Sequence, residues 1–189
     1  MDTYAINSFC ERWVRKASNY ESGDLEDLFD RFFTLFVPFN RFYSACAELY
    51  RAPLPPFAAR RFTGDRNEAT EVMARLIPQG RFDEIIADDL SVGEACECIA
   101  RLLEQRRFYL HSVRESREPD YARDLELAAG LRRHSVRQVL QCLYQIRCNI
   151  FHGEKEFSPR QSELLVPANV LLAVVVELSR DAFQEIASR

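Results

Sequence analysis

One stretch of the chain, residues 143–157 (LYQIRCNIFHGEKEF), gathers Arg147, Asn149 and His152 beside Gly153. These side chains make a set that can hold an anion and move a proton. A guanidinium forks onto phosphate or carboxylate oxygens, and an imidazole takes up and returns a proton near neutral pH. The rest of the sequence offers little competing chemistry. It contains no glycine-rich phosphate loop, no His-Glu-x-x-His zinc pattern and no Gly-x-Ser-x-Gly nucleophile turn, and its only other histidines are His111 and His134.

Helical periodicity says which way these groups face. With Leu143 at the centre of the apolar stripe, Val136, Val139, Leu140, Ile146 and Ile150 fall within about 60° of it, and Arg147 falls there too, at about 40°. A guanidinium on such a stripe needs a partner, because an unpaired buried charge costs several kcal/mol. That partner is an acidic side chain of a neighbouring helix, a phosphate, or a second subunit. A purely structural reading selects the first. On a regular helix His152 points about 140° away from Arg147. The two therefore reach one anion only if the turn before Gly153 unwinds or a second copy completes the site.

The elements that must position this stretch are helical almost throughout. Ile6, Phe9, Cys10, Trp13 and Val14 form one stripe, and Leu25, Leu28, Phe29, Phe32, Leu35 and Phe36 form another. Pro38 should end or kink that second helix, after which Phe39, Tyr43, Cys46, Leu49 and Tyr50 resume the period until APLPPF at 52–57 breaks it. A shorter helix is predicted over 67–77, capped by Asn67 and stopped by Pro78, with Gly80 as a turn. Ser91 and Glu94 form a capping-box pattern that opens a long helix with Val92, Ala95, Cys96, Ile99, Leu102 and Leu103 inside, reaching toward Leu110. SVRESREPD at 112–120 reads as a connection. The pattern returns from 121 through Gly130 to Ile150, stops at Gly153, and gives way to a last helix that is apolar almost all round from 170 to 176 and should be central. The stretch 164–178 is shorter than the ~20 residues of a membrane span. With Pro167, Asn169 and Glu177 inside it, it reads as a buried helix, and no membrane association is expected. The fold class expected is all-α, a helical bundle forming one domain over 1–189. Residues 1–90 are read as an N-terminal helical elaboration and 91–189 as the core bundle.

The run Arg147-Cys148-Asn149-Ile150-Phe151-His152-Gly153, with an apolar helix before it and another after it, resembles the Arg-(four to six residues)-His signature of the HEPN superfamily (higher eukaryotes and prokaryotes nucleotide-binding domains). Such domains are all-α bundles of about four or five helices. A polar residue often follows the family's arginine directly; here Cys148 stands there and Asn149 comes one place later. Arg106 and His111, in RRFYLH, share the spacing but lack the polar residue between and the glycine after. The resemblance covers 143–157 and the position of the motif ahead of the last helix, and does not extend to the N-terminal half.

What the resemblance implies is a metal-independent endoribonuclease of a prokaryotic toxin or antiviral defence system. It would act on RNA as a homodimer with facing motifs, beside a cognate antitoxin or defence-system partner protein, and without a cofactor. Arg147 would bind the scissile phosphate and stabilise its added transition-state charge, an effect worth ~3 kcal/mol. His152 would take the proton of the 2′-hydroxyl or protonate the leaving 5′-oxygen, and Asn149 would orient one or the other. The products would be a 2′,3′-cyclic phosphate and a 5′-hydroxyl. Arg133 and Arg137 could steer a phosphate backbone, Tyr144 and Phe151 could stack on a base, and Lys155 could add a phosphate contact. The alternative is a non-catalytic helical module of the same type that binds a partner protein or a nucleotide.

Composition narrows the setting. Over 189 residues the net charge is −4, so no whole-molecule field draws in a polyanion and any phosphate site must be local. Arginine supplies the positive charge almost alone, Lys16 and Lys155 being the only lysines. The fourteen phenylalanines and seven tyrosines exclude a mainly disordered chain. The six cysteines fall mostly on apolar helical positions, and Cys96 and Cys98 point about 200° apart on one helix. They are expected to be free thiols in a reducing cytoplasm. The acidic, aromatic N-terminus lacks the basic start and apolar centre of a secretory signal, which fits the same location.

Overall fold

Aromatic residues at helical spacing make the longest helix before the motif. The computed structural model describes residues 2–20, 22–113, 115–151 and 159–189, and of Phe151 the backbone alone. Helix α1 (Thr3–Ala17) starts at Asp2, whose carboxylate accepts the Ala5 N–H at 3.0 Å. Helix α2 (Leu25–Arg51) starts at Asp24, which accepts the Asp27 N–H at 2.9 Å. The expected break at Pro38 does not occur, and α2 runs through it. Proline in a helix costs about 3 kcal/mol. Phe36, Phe39, Phe42 and Tyr43 are all buried around it, at roughly 1.5–3 kcal/mol for a large side chain, so packing outweighs the lost hydrogen bond.

The stretch after α2 is broken into short pieces. Helix α3 (Pro56–Ala59) is one turn, and α4 (Asp65–Asn67) continues through a wider helical turn, Glu68–Val72, into α5 (Met73–Leu76). Asn67 does not cap this region. Gly64 does, at φ +93, a conformation that favours glycine, and Asn67 Nδ2 donates back to the Thr63 carbonyl at 3.0 Å. Gly80 is likewise no turn but lies inside α6 (Gln79–Asp88). Helix α7 (Leu90–Glu104) begins earlier than the predicted Ser91–Glu94 box, because Asp89, an equally good cap, accepts the Ser91 N–H at 2.9 Å. Leu110 lies beyond α7, buried in the connection to α8 (Tyr121–Arg132). That connection makes one isolated bridge, between Ser112 and Pro119, and no strand occurs among the described residues.

Helix α9 (Val136–Phe151) follows α8 through a short joint at residues 133–135, and packs so closely on the last turn of α8 that a Cβ at Gly130 would lie 2.1 Å from Gln138 Cγ. Helix α10 (Ser162–Ala187) is central as predicted. It lies along α2, with Asn169 Nδ2 donating to the Leu28 carbonyl at 2.9 Å and the Phe42 and Phe183 rings 5.8 Å apart. Its length and apolar composition would suffice to cross a membrane, and 61% of its most apolar window is buried inside this fold.

The protein is an all-α helical bundle. One continuous core runs from Ile6 on α1 to Phe183 on α10, so the first ninety residues share their interior with the rest. Cys10, Cys46, Cys96 and Cys142 are buried in it as free thiols, and Cys98 and Cys148 are half-buried.

Candidate active site around Arg147

One edge of α9 is tied to the segment that begins at Asp65. Arg137, near the start of α9, is ion-paired with Glu71. Two turns on, the Tyr144 hydroxyl donates to Asp65 Oδ2 at 2.9 Å. One turn further, Arg147 Nη1 lies 3.6 Å from the same Oδ2. The other carboxylate oxygen of Asp65 accepts a short hydrogen bond from the hydroxyl of Tyr43 on α2. Two phenols from two helices thus hold one carboxylate in front of one guanidinium.

Arg147 stays on the apolar stripe by resting on rings, its guanidinium carbon 5.7 Å from the Phe36 centroid and 5.8 Å from that of Tyr144. Its side chain is still 24% exposed, and that of Asp65 is 46% exposed. Water therefore reaches both partners, and a pair of this kind contributes about 0–1 kcal/mol. Tyr43 and Tyr144 have their acidities pushed well below the ordinary phenol range. Burial is the larger cause, and the hydrogen bond to Asp65 is the next. Both remain protonated donors to the carboxylate.

Asn149 is not beside Arg147. It is buried on the opposite side of α9, where Nδ2 donates to the Leu110 carbonyl at 3.0 Å and Oδ1 accepts from Gln145 Nε2 at 2.8 Å. With its carboxamide occupied in this way, it clamps α9 to the α7–α8 connection. Tyr144 is buried and spends its hydroxyl on Asp65, so it places that carboxylate and offers no open face to a base. Arg137 keeps a partly exposed side chain beside Glu71 and lies ten residues, ~15 Å along the helix, from Arg147. Arg133 is exposed at the C-cap of α8, while its neighbour Arg132 is spent on Glu97 and Glu104. His152, Gly153 and Lys155 lie outside the described residues, as does the side chain of Phe151.

Sequence reasoning missed Asp65 and Tyr43. Asp65 follows a glycine at a helix start, a common acidic position, and nothing local links it to Arg147. It also missed the pair formed by the rejected His111. His111 Nδ1 lies 2.7 Å from Oδ1 of Asp124, and both residues are buried. A signal for that was present: Asp124 shares the inner face of α8 with Leu127, Ala128 and Leu131, an acid on an apolar stripe just as Arg147 is a base on one. Among the described residues no three His, Cys, Asp or Glu side chains group as metal ligands.

Comparison with known proteins gives no match to this chain among family models, curated proteins or solved structures.

Proposed function

We propose that this chain is a HEPN-type endoribonuclease of a defence or toxin system, with Arg147 as the phosphate-binding group and His152 as the proton-transfer group. It cleaves RNA by attack of the 2′-hydroxyl on the adjacent phosphate, leaving 2′,3′-cyclic phosphate and 5′-hydroxyl ends, and two copies facing each other complete the site. The observation that carries this reading is the placement of Arg147. Its guanidinium is in the last turns of α9, reachable by water, and paired at 3.6 Å with a half-exposed carboxylate. Such a pair contributes at most about 1 kcal/mol, whereas a charge-assisted hydrogen bond contributes about 1.5–3 kcal/mol. A phosphate can thus displace Asp65 from Arg147 at a net gain. Asn149 has no part in this mechanism, and the order of the motif along the chain supplies His152.

The test is incubation of the purified protein with mixed RNA in EDTA, followed by analysis of the ends. Cyclic-phosphate ends that disappear in both Arg147→Ala and His152→Ala support the reading. RNA left intact by the wild-type dimer overturns it.

One observation favours a second, non-catalytic reading, a helical bundle in which Arg147 has a purely structural role. Arg147 already meets an internal carboxylate, as a structural role requires. On that reading Asp65→Asn and Arg147→Met change stability and leave RNA untouched.

A further inference from the structure

A second polar site lies behind the first. Between α4, α8 and α9 a cavity of about 260 Å³ is lined by Arg66, His111, Arg123, Glu126, Gln138 and Gln141. His111 is only 6% exposed, and its ring orientation is fixed. Nδ1 faces Asp124 Oδ1 at 2.7 Å, and the same carboxylate accepts the backbone N–H groups of Leu110 and His111 at 2.9 and 3.2 Å. With Nδ1 held inward, Nε2 is the ring atom left for the cavity, and no hydrogen bond to it occurs among the described residues. A ring nitrogen left open in this way can be met by a ligand oxygen or water.

The lining sets the ligand class. Arg66 comes from α4 and Arg123 from the first turn of α8, so two guanidinium groups from separate elements meet one rim carboxylate, Glu126, while Asp124 is spent on His111. The balance favours an anion. Gln138 and Gln141 stand one turn apart on α9 and add carboxamide donors. Two guanidinium forks and two amides offer more donors than one carboxylate ligand accepts, Nε2 of His111 can accept from a P–OH while Nδ1 donates to Asp124, and together they suit the several oxygens of a phosphate. The volume is below the roughly 300 Å³ at which pockets for drug-sized ligands begin, which excludes a large ligand.

We propose that this cavity binds a phosphate group, free or carried on a molecule of sugar-phosphate size, with His111 Nε2 and the Arg66 and Arg123 guanidinium groups as its contacts. The proposal does not depend on the nuclease reading. Calorimetric titration of the full chain with ribose 5-phosphate, inorganic phosphate and ribose tests it. Ribose 5-phosphate is expected to bind while ribose does not, and Arg66→Gln and Arg123→Gln, both on the exposed rim, each weaken binding about tenfold or more. Equal affinity for inorganic phosphate identifies the free anion as the ligand, and tighter binding of ribose 5-phosphate identifies the monoester. The Nε2 nitrogen resonance of His111 should shift on binding, which locates the ligand without any substitution in the buried pair. Absence of phosphate binding, binding unaffected by both rim substitutions, or an unmoved His111 resonance overturns the proposal.

Discussion

Arg147 on α9 and Asp65 at the start of α4 face each other at 3.6 Å, and the carboxylate is fixed by the hydroxyls of Tyr43 and Tyr144. Asp65 therefore does two things at once. It offsets a positive charge on an apolar helix face, and on the proposed nuclease reading it occupies the place of the incoming phosphate. Both partners are open to water, so the contact stabilises little and competes directly with an anionic ligand.

Asp65→Asn keeps an oxygen for one of the two phenols, turns toward the other an NH2 from which that phenol oxygen can accept, and removes the competing charge. Removal of an interaction of up to about 1 kcal/mol should raise affinity for a cleavage-resistant 2′-deoxy-substituted RNA by about threefold to fivefold. Fluorescence anisotropy measures it at fixed salt. Unchanged affinity would mean that the guanidinium of Arg147 meets no phosphate.

The fold class was legible because apolar residues at three- and four-residue spacing mark each long helix; α7 and α10 lie where that spacing puts them, while α2 runs unbroken through Pro38 and the pattern from 121 to 150 is divided into α8 and α9. Local start signals were less reliable. Asp89 took the cap expected of Ser91, and Gly64 the one expected of Asn67, because several residues near each helix start can cap and tertiary packing selects among them. The site was half legible. A charged residue on an apolar stripe shows in the sequence, so Arg147 stands out there, but its partner Asp65 comes from a distant segment and no local pattern names it. Asn149 shows in the sequence as a polar residue within the motif, while the Leu110 carbonyl it serves comes from a distant segment that no local pattern names.

Asp124 accepts hydrogen bonds from three donors in the interior, two backbone N–H groups and His111 Nδ1. Asp124→Ala strands all three, and a buried group left unsatisfied costs about 1–3 kcal/mol. The urea midpoint should fall by an amount equal to roughly 3 kcal/mol or more, and Asp124→Asn should lose less because its oxygen still accepts. Equal, small losses in both variants would show that the three donors find water.

Stability should decline on the alkaline side. Burial pushes the Cys10, Cys46 and Cys96 thiols up to about 12, and burial and then Asp65 push Tyr43 and Tyr144 up as well. Groups whose folded pKa is raised hold their proton more tightly in the native state. Their contribution is complete below the unfolded values, about 8.5 for thiols and 10 for phenols, and is lost as pH rises toward the folded ones. Urea midpoints measured from pH 7 to 11 should therefore be level at first and fall above about pH 9. A level profile to pH 11 would contradict the burial of these groups.

Asn149 separates a catalytic role from a structural one. Its carboxamide joins Gln145 on its own helix to the Leu110 carbonyl in the connection before α8, and His111, the residue after Leu110, lines the cavity proposed to take phosphate. Asn149→Ala leaves the Leu110 carbonyl without this buried donor, a loss of about 1–3 kcal/mol, while nothing that faces Arg147 changes. The variant should therefore unfold at lower urea and bind ribose 5-phosphate more weakly, because the segment that carries His111 is no longer clamped. RNA cleavage per folded molecule should stay within about threefold of wild type, since hydrogen-bond donors acting on a transition state are worth about a hundredfold or more each. A hundredfold loss of cleavage with an unchanged urea midpoint would return Asn149 to the reacting phosphate and require α9 to open around it when RNA binds.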